Sequence, residues 1–197
     1  MRHREEAKLM NPTFQDPSVV AMQWVFVGVL AVSLLVLAFL RKRASAYVVT
    51  ALPLVALASH QVEEYLLAPL VLGNDYHFLN WAFRSGLDIS PMTVVSVNLL
   101  GYFGATILYV LRPATLVFAL VFLFINAMAL GNGVFHIGVA TVQSGYSPGM
   151  ITALFMFLPL YIKSVMLASE QGASLREIFG LSLYGFVAHF VLIWLVK

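Results

Sequence analysis

A chain of 197 residues that is 61% hydrophobic and only 10% charged is too apolar for a soluble domain, and its formal net charge of +2 is too small to point to nucleic acid. The absence of cysteine excludes disulfides, thiolate catalysis, thiolate-bound zinc and iron–sulfur clusters. Several apolar runs reach the roughly 20 residues a helix needs to cross a bilayer. The expected fold is therefore all-α: a single transmembrane domain over residues 1–197, built as a polytopic helix bundle of about six spans and expected in a bacterial inner (plasma) membrane.

Residues 1–16 form a polar lead-in of mixed charge. No small-residue cleavage site follows, so the first apolar run is expected to stay as a span. Asp16-Pro17 has the form of an N-cap followed by proline at the first helical position. The first span covers about 17–40, stops at Arg41-Lys42-Arg43, and past its first turn is apolar apart from Gln23 and Ser33, which suits a plain scaffold helix. The second covers about 45–69, with Pro53 expected to kink it or free a carbonyl, and Pro69, Gly73 and Asn74 expected to end it.

The connection over 73–90 carries Tyr76, Phe78, Trp81 and Phe83. Such aromatics favour the headgroup level, so a short interfacial helix is expected there, as an anchor or as a lid over a substrate entrance. Ser90-Pro91 opens the third span, about 91–111, and Pro113 the fourth, about 113–140. The fourth is about 42 Å long as a straight helix, more than a hydrocarbon core needs, and a break is expected at Gly131-Asn132-Gly133. Ser147-Pro148 opens the fifth, about 148–168, in which Lys163 is expected to snorkel. Ser174 and Glu177 are spaced as a capping box before the sixth, about 175–196. Arg41, Lys42, Arg43, Arg112 and Arg176 fall on one side of such a bundle, and the positive-inside rule puts that side in the cytoplasm. Arg2, Arg4 and Lys8 of the lead-in oppose this orientation.

One stretch breaks the apolar pattern. His60-Gln61-Val62-Glu63-Glu64-Tyr65 sets a histidine and two carboxylates inside the second span, where ionisable groups are costly and usually functional. At about 100° per residue, Glu63 and Glu64 flank His60 by about 60° and 40°, so all three point into one sector. Counting from the surface that carries the 73–90 connection, Glu64, Asn98, Asn132, His136 and His189 all fall within roughly 6–12 Å of it. Asn132 and His136 share one helix face at i, i+4. Asn126 lies more than a turn deeper, and Asn98 and Asn126 suit interhelical hydrogen bonding.

His60-Gln61-Val62-Glu63-Glu64, the element Asn132-Gly133-Val134-Phe135-His136, and the run Tyr146-Ser147-Pro148-Gly149-Met150-Ile151-Thr152-Ala153-Leu154 together resemble the HXXEE-domain family of integral membrane proteins. The resemblance covers about 50–190. It implies a shared site at His60, Glu63, Glu64, Asn132 and His136; His189 joins them on depth and helix face.

Imidazoles and carboxylates in this number suit a divalent metal ion, zinc first and iron second. The metal-ligand candidates are His60, Glu63, Glu64, His136 and His189, and an ion would neutralise carboxylates that lipid disfavours. Glu63 and Glu64 are also the candidate catalytic acid/base residues, one ligating and the other activating water, with Asn132 orienting a ligand or steadying an oxyanion. Without a metal, two adjacent glutamates sharing one proton could activate water themselves. The leading expectation is a membrane-embedded metal-dependent hydrolase of a lipid or other apolar small molecule that reaches the site from the membrane. A non-haem iron oxidoreductase would use the same ligands. The alternative class is a proton- or cation-coupled transporter or channel, for which six spans without a repeat are few and a homo-oligomer would be needed.

Overall fold

Lipid offers a backbone amide no hydrogen-bond partner, so apolar runs of this length have to close their hydrogen bonds internally as helices. The computed structural model describes residues 17–86 and 89–196 and has no strand among them. Six helices are long and apolar enough to cross a membrane. They are α1 (Pro17–Arg43), α2 (Ser45–Leu72), α4 (Pro91–Val110), α5 (Leu116–Gln143), α6 (Met150–Glu170) and α7 (Leu175–Val196), with the short α3 (Phe78–Arg84) between α2 and α4. The lead-in, Asp16 with its capping role, and Lys197 lie outside the described residues.

α5 is the axis of the bundle. It packs along α7 on one side and α6 on the other, while α2 packs on α1 and α4 and meets α5 and α6 from Val49 and Ala56 to His60. Several boundaries follow the local signals. The Ser90 hydroxyl accepts the Thr93 amide at 3.1 Å ahead of Pro91. The Ser174 amide donates to Glu177 Oε2 at 2.7 Å and the Glu177 amide to Ser174 Oγ at 3.3 Å, a complete capping box.

Other expectations are corrected. α5 runs unbroken from Leu116 to Gln143, capped by Thr115 rather than opened by Pro113. Gly131 and Gly133 do not break it; they let neighbours close in. A Cβ on Gly131 would lie 3.0 Å from His189 Cβ, and one on Gly133 would lie 3.1 Å from Ala153 Cβ. Pro53 stays within regular α-helix. Apart from 3-10 turns at the start of α2 (Ser45–Tyr47) and the end of α4 (Ile107–Val110), the departures from α geometry in the described spans are two wide π turns, Glu63–Leu67 in α2 and Ala153–Phe157 in α6. Each ends two residues before a proline, Pro69 or Pro159. A proline ring crowds the carbonyl one turn back and offers it no amide, and a widened turn relieves the crowding.

At Pro69 the carbonyl so left is that of Tyr65, and Gln23 Nε2 of α1 donates to it at 2.7 Å. The first span is therefore a brace for the π turn that carries the two glutamates. The short helix expected between the second and third spans is present as α3, with Phe78, Leu79, Asn80, Trp81 and Ala82 buried against the bundle and Phe83 exposed.

Candidate metal centre

His60 and Glu64 are i, i+4 on α2, so one helix face presents both. His136 reaches them from α5. One ligand atom from each of the three lies within 4.8 Å of the others, and all three residues are buried. His60 Nε2 is 3.5 Å and His136 Nε2 is 3.1 Å from the same oxygen, Glu64 Oε1. Ligands about 2.1 Å from a four- to six-coordinate ion stand about 3.0–3.4 Å apart, so these separations are of the right size.

The other ring nitrogens are taken by hydroxyls. His60 Nδ1 is 2.8 Å from Thr152 Oγ1, and His136 Nδ1 is 2.9 Å from Ser147 Oγ. Hydrogen bonding at the far nitrogen is how proteins fix the tautomer and ring angle of a metal-binding histidine. At Thr152 the tautomer can be deduced. Its hydroxyl has one proton and donates it to the Gly149 carbonyl at 3.1 Å. It must then accept from His60 Nδ1–H, which leaves Nε2, the nitrogen facing Glu64, as a lone pair in the neutral ring or as an N–H in the imidazolium.

Nε2 faces a carboxylate oxygen 3.5 Å away and makes no close hydrogen bond. A proton or a metal ion between the two would satisfy both in this buried site. The Ser147 hydroxyl can turn either way and so supports His136 in either tautomer. The residues present fit a metal ion: two imidazoles and one carboxylate with ligand atoms within 4.8 Å of one another, each histidine held from behind.

Glu63 is placed apart from this group. Its Oε1 accepts the Tyr146 hydroxyl at 2.5 Å and the Ile151 amide at 3.0 Å, and its Oε2 accepts the Thr152 amide at 2.7 Å. The first amides of a helix have no partner within it and favour negative charge. Glu63 thus caps α6 from α2, across 88 residues of chain. Ser147 does not cap α6, which starts at Met150; its hydroxyl is spent on His136. Burial, followed by the bond to Glu63, raises the Tyr146 phenol above its ordinary range, so it keeps the proton it donates.

Gly149 has φ +92°, and a Cβ there would collide with His60 Cε1 and lie 3.0 Å from Glu64 Cγ. Only glycine lets this backbone lie on the ring. Above the centre, Trp81 stacks on His136 with ring centroids 6.1 Å apart, and Phe78 packs 5.7 Å from the same ring.

Asn132 and His189 stand beside the group rather than in it. Both line two adjoining cavities, of which the smaller has Glu64 in its wall. Asn98 and Asn126 donate to carbonyls of their own helices, those of Val94 at 2.9 Å and Phe122 at 2.8 Å. Reasoning from spans and depth missed Tyr146, Ser147, Gly149 and Thr152. Their signal was present, since a serine, a glycine and a threonine open an otherwise apolar run, but they read as a plain helix start.

Fold and site together define the class: a six-helix membrane bundle with a buried His/Glu/His group able to bind a metal ion. The chain belongs to the family described as protein of unknown function with HXXEE motif, whose model matches residues 50–164, more than half of its length. That interval takes in all three residues of the group and the whole 146–152 segment. Comparison with curated proteins and with solved structures finds no match.

Proposed function

We propose that this protein is a membrane-embedded metal-dependent enzyme, a hydrolase acting on a lipid-like or apolar substrate. The observation that carries the reading is the convergence of His60 Nε2 and His136 Nε2 on Glu64 Oε1, with both Nδ1 atoms held by hydroxyls of one segment. Three protein ligands leave a coordination position open, the pattern of catalytic rather than structural sites. A bound divalent ion would supply Lewis acidity and a water acidified to near neutrality.

The chain's own residues have separable tasks. His60, Glu64 and His136 hold the ion. Thr152 and Ser147 set the ring angles. Glu63 fixes the segment that carries those two hydroxyls, a positioning role distinct from the acid/base role that adjacency to Glu64 suggests. Phe78 and Trp81 exclude water from one side. Asn132 and His189, on the open side, meet the substrate. Zinc is the first choice for hydrolysis, and iron with the same two-histidine, one-carboxylate set would make the centre oxidative.

The test is elemental analysis of the purified protein. About one zinc or iron per chain is expected in the wild type, and none in Glu64→Gln or His136→Ala. A folded wild type that takes up no divalent metal would overturn the reading. Proton or cation flux in liposomes, abolished by the same substitutions, would put transport in its place.

A further inference from the structure

Two polar atoms deep in the bundle are left without a protein partner, and both face the same space. Asn132 Oδ1 and His189 Nε2 are buried and make no hydrogen bond; His189 as a residue is only 5% exposed. In lipid such atoms are expensive unless something arrives to meet them. α7 seats His189 directly against Gly131, beside Asn132. The pair stands where the two cavities meet. The smaller, about 60 Å³, reaches Glu64 and Tyr65. The larger, about 160 Å³, is a chamber between α2, α4, α5 and α7, where α4 packs on α2 and α7 and meets α5 through Leu108 near its C-terminal end.

The chamber is walled mainly by apolar groups, among them Leu57, Val97, Phe124, Met128 and Leu192. Its other amides, Asn98 and Asn126, each spend an Nδ2–H on a carbonyl of their own helix. Apolar cavities of about 150 Å³ stay free of water and accept a guest the size of benzene. Leu100, in the chamber wall, is 51% exposed on the outer face of α4, so the chamber meets the region that lipid would cover.

We propose that the Asn132–His189 junction and this chamber bind an uncharged amphiphile: a hydroxyl or amide head between Asn132 Oδ1 and His189 Nε2, and an apolar segment of about six carbons in the chamber. The head must donate to the amide oxygen and accept from, or donate to, the imidazole. A hydroxyl or carboxamide does both; an alkane does neither. A carboxylate would bring a bare charge into lipid beside Glu64. The assignment narrows the substrate class of the metal-centre reading and rests on that reading for its catalytic meaning. The binding itself needs no ion.

The experiment is photolabelling of the purified full-length protein in detergent with a long-chain alcohol bearing a mid-chain diazirine, mapped by mass spectrometry. Label is expected on Leu57, Val97, Met128 or Leu192. Unlabelled decanol and decanamide should compete at least about tenfold better than decane or decanoate, the worth of one or two hydrogen bonds. Gly104→Phe should abolish the labelling, since Gly104 lines the chamber and a Cβ there meets nothing within 4 Å. Ala129→Phe is the second filling variant should the first not fold. Asn132→Leu with His189→Phe should keep the label but erase the preference for decanol over decane. Labelling that survives both filling variants, or equal competition by decane and decanol in the wild type, would sink the proposal. Two measurements separate the readings: His136→Ala should lose its metal yet label normally, whereas normal labelling of a wild type that takes up no metal retains the amphiphile site and removes the metal enzyme.

Discussion

The candidate metal centre and the chamber beside it lie in one bundle and treat polar atoms in opposite ways. At the centre both histidine Nδ1 atoms and both Glu63 oxygens are met by a single neighbouring stretch, Tyr146 to Thr152. In the chamber Asn132 Oδ1 and His189 Nε2 are met by nothing in the protein. Since an unmet polar atom is costly away from water, the difference marks what each region is for. Under the proposed function, the centre, with both histidine rings held from behind, suits an ion held tightly, and the chamber suits a guest that arrives and leaves.

The comparison breaks most readily at Glu63. Glu63→Ala strands a phenol and two helix-terminal amides, so a loss of roughly 2–4 kcal/mol of stability is expected. Thermal unfolding and proteolysis within 146–152 would show it, and metal should be lost as a consequence. If Glu63→Ala keeps its metal and its melting temperature, the segment does not organise the centre.

Gly149→Ala comes next. Its methyl group must displace His60 and its φ is strained for any side chain, so most bound metal should be lost while the helical content by circular dichroism stays. Smaller again is removal of a supporting hydroxyl. Ser147→Ala or Thr152→Val should weaken metal binding about 10-fold to 100-fold, with Thr152→Ser restoring it. Amphiphile labelling in the chamber should not respond to either change, and a parallel loss of both would merge the two regions into one.

The smallest effect expected is at their border. His77, outside the spans, packs edge-on against Tyr65 at 5.3 Å, and Tyr65 lines the smaller cavity. Burial lowers the His77 pKa to about 4, partly offset by the Glu64 charge. The folded state therefore resists a proton that the unfolded chain accepts near pH 6.5. Stability from this group is complete above that pH and falls as pH drops towards 4. His77→Phe should flatten the slope of melting temperature against pH across this window relative to the wild type. An unchanged slope would mean that water reaches this border.

Much of this architecture was legible without coordinates. Hydrophobicity alone dictates spanning helices, because a backbone in lipid has few other ways to close its hydrogen bonds. The i, i+4 spacing of His60 and Glu64 puts them on one face whatever surrounds them, and a shared depth along α5 brings His136 to their level. The Ser90 and Ser174 caps were equally readable, since caps are local.

Tertiary structure decided the rest. Adjacency in sequence paired Glu63 with Glu64, yet only the packing of α6 against α2 sends Glu63 to the first amides of another helix. No spacing rule reaches across that much chain. The same packing turned Ser147 from a cap into a support for His136, made Gly149 a contact surface for His60, and let Gly131 and Gly133 serve close approach instead of a break. Local composition fixes which residues can bear charge or bend; which partner each one meets is set by helices whose register depends on all the others.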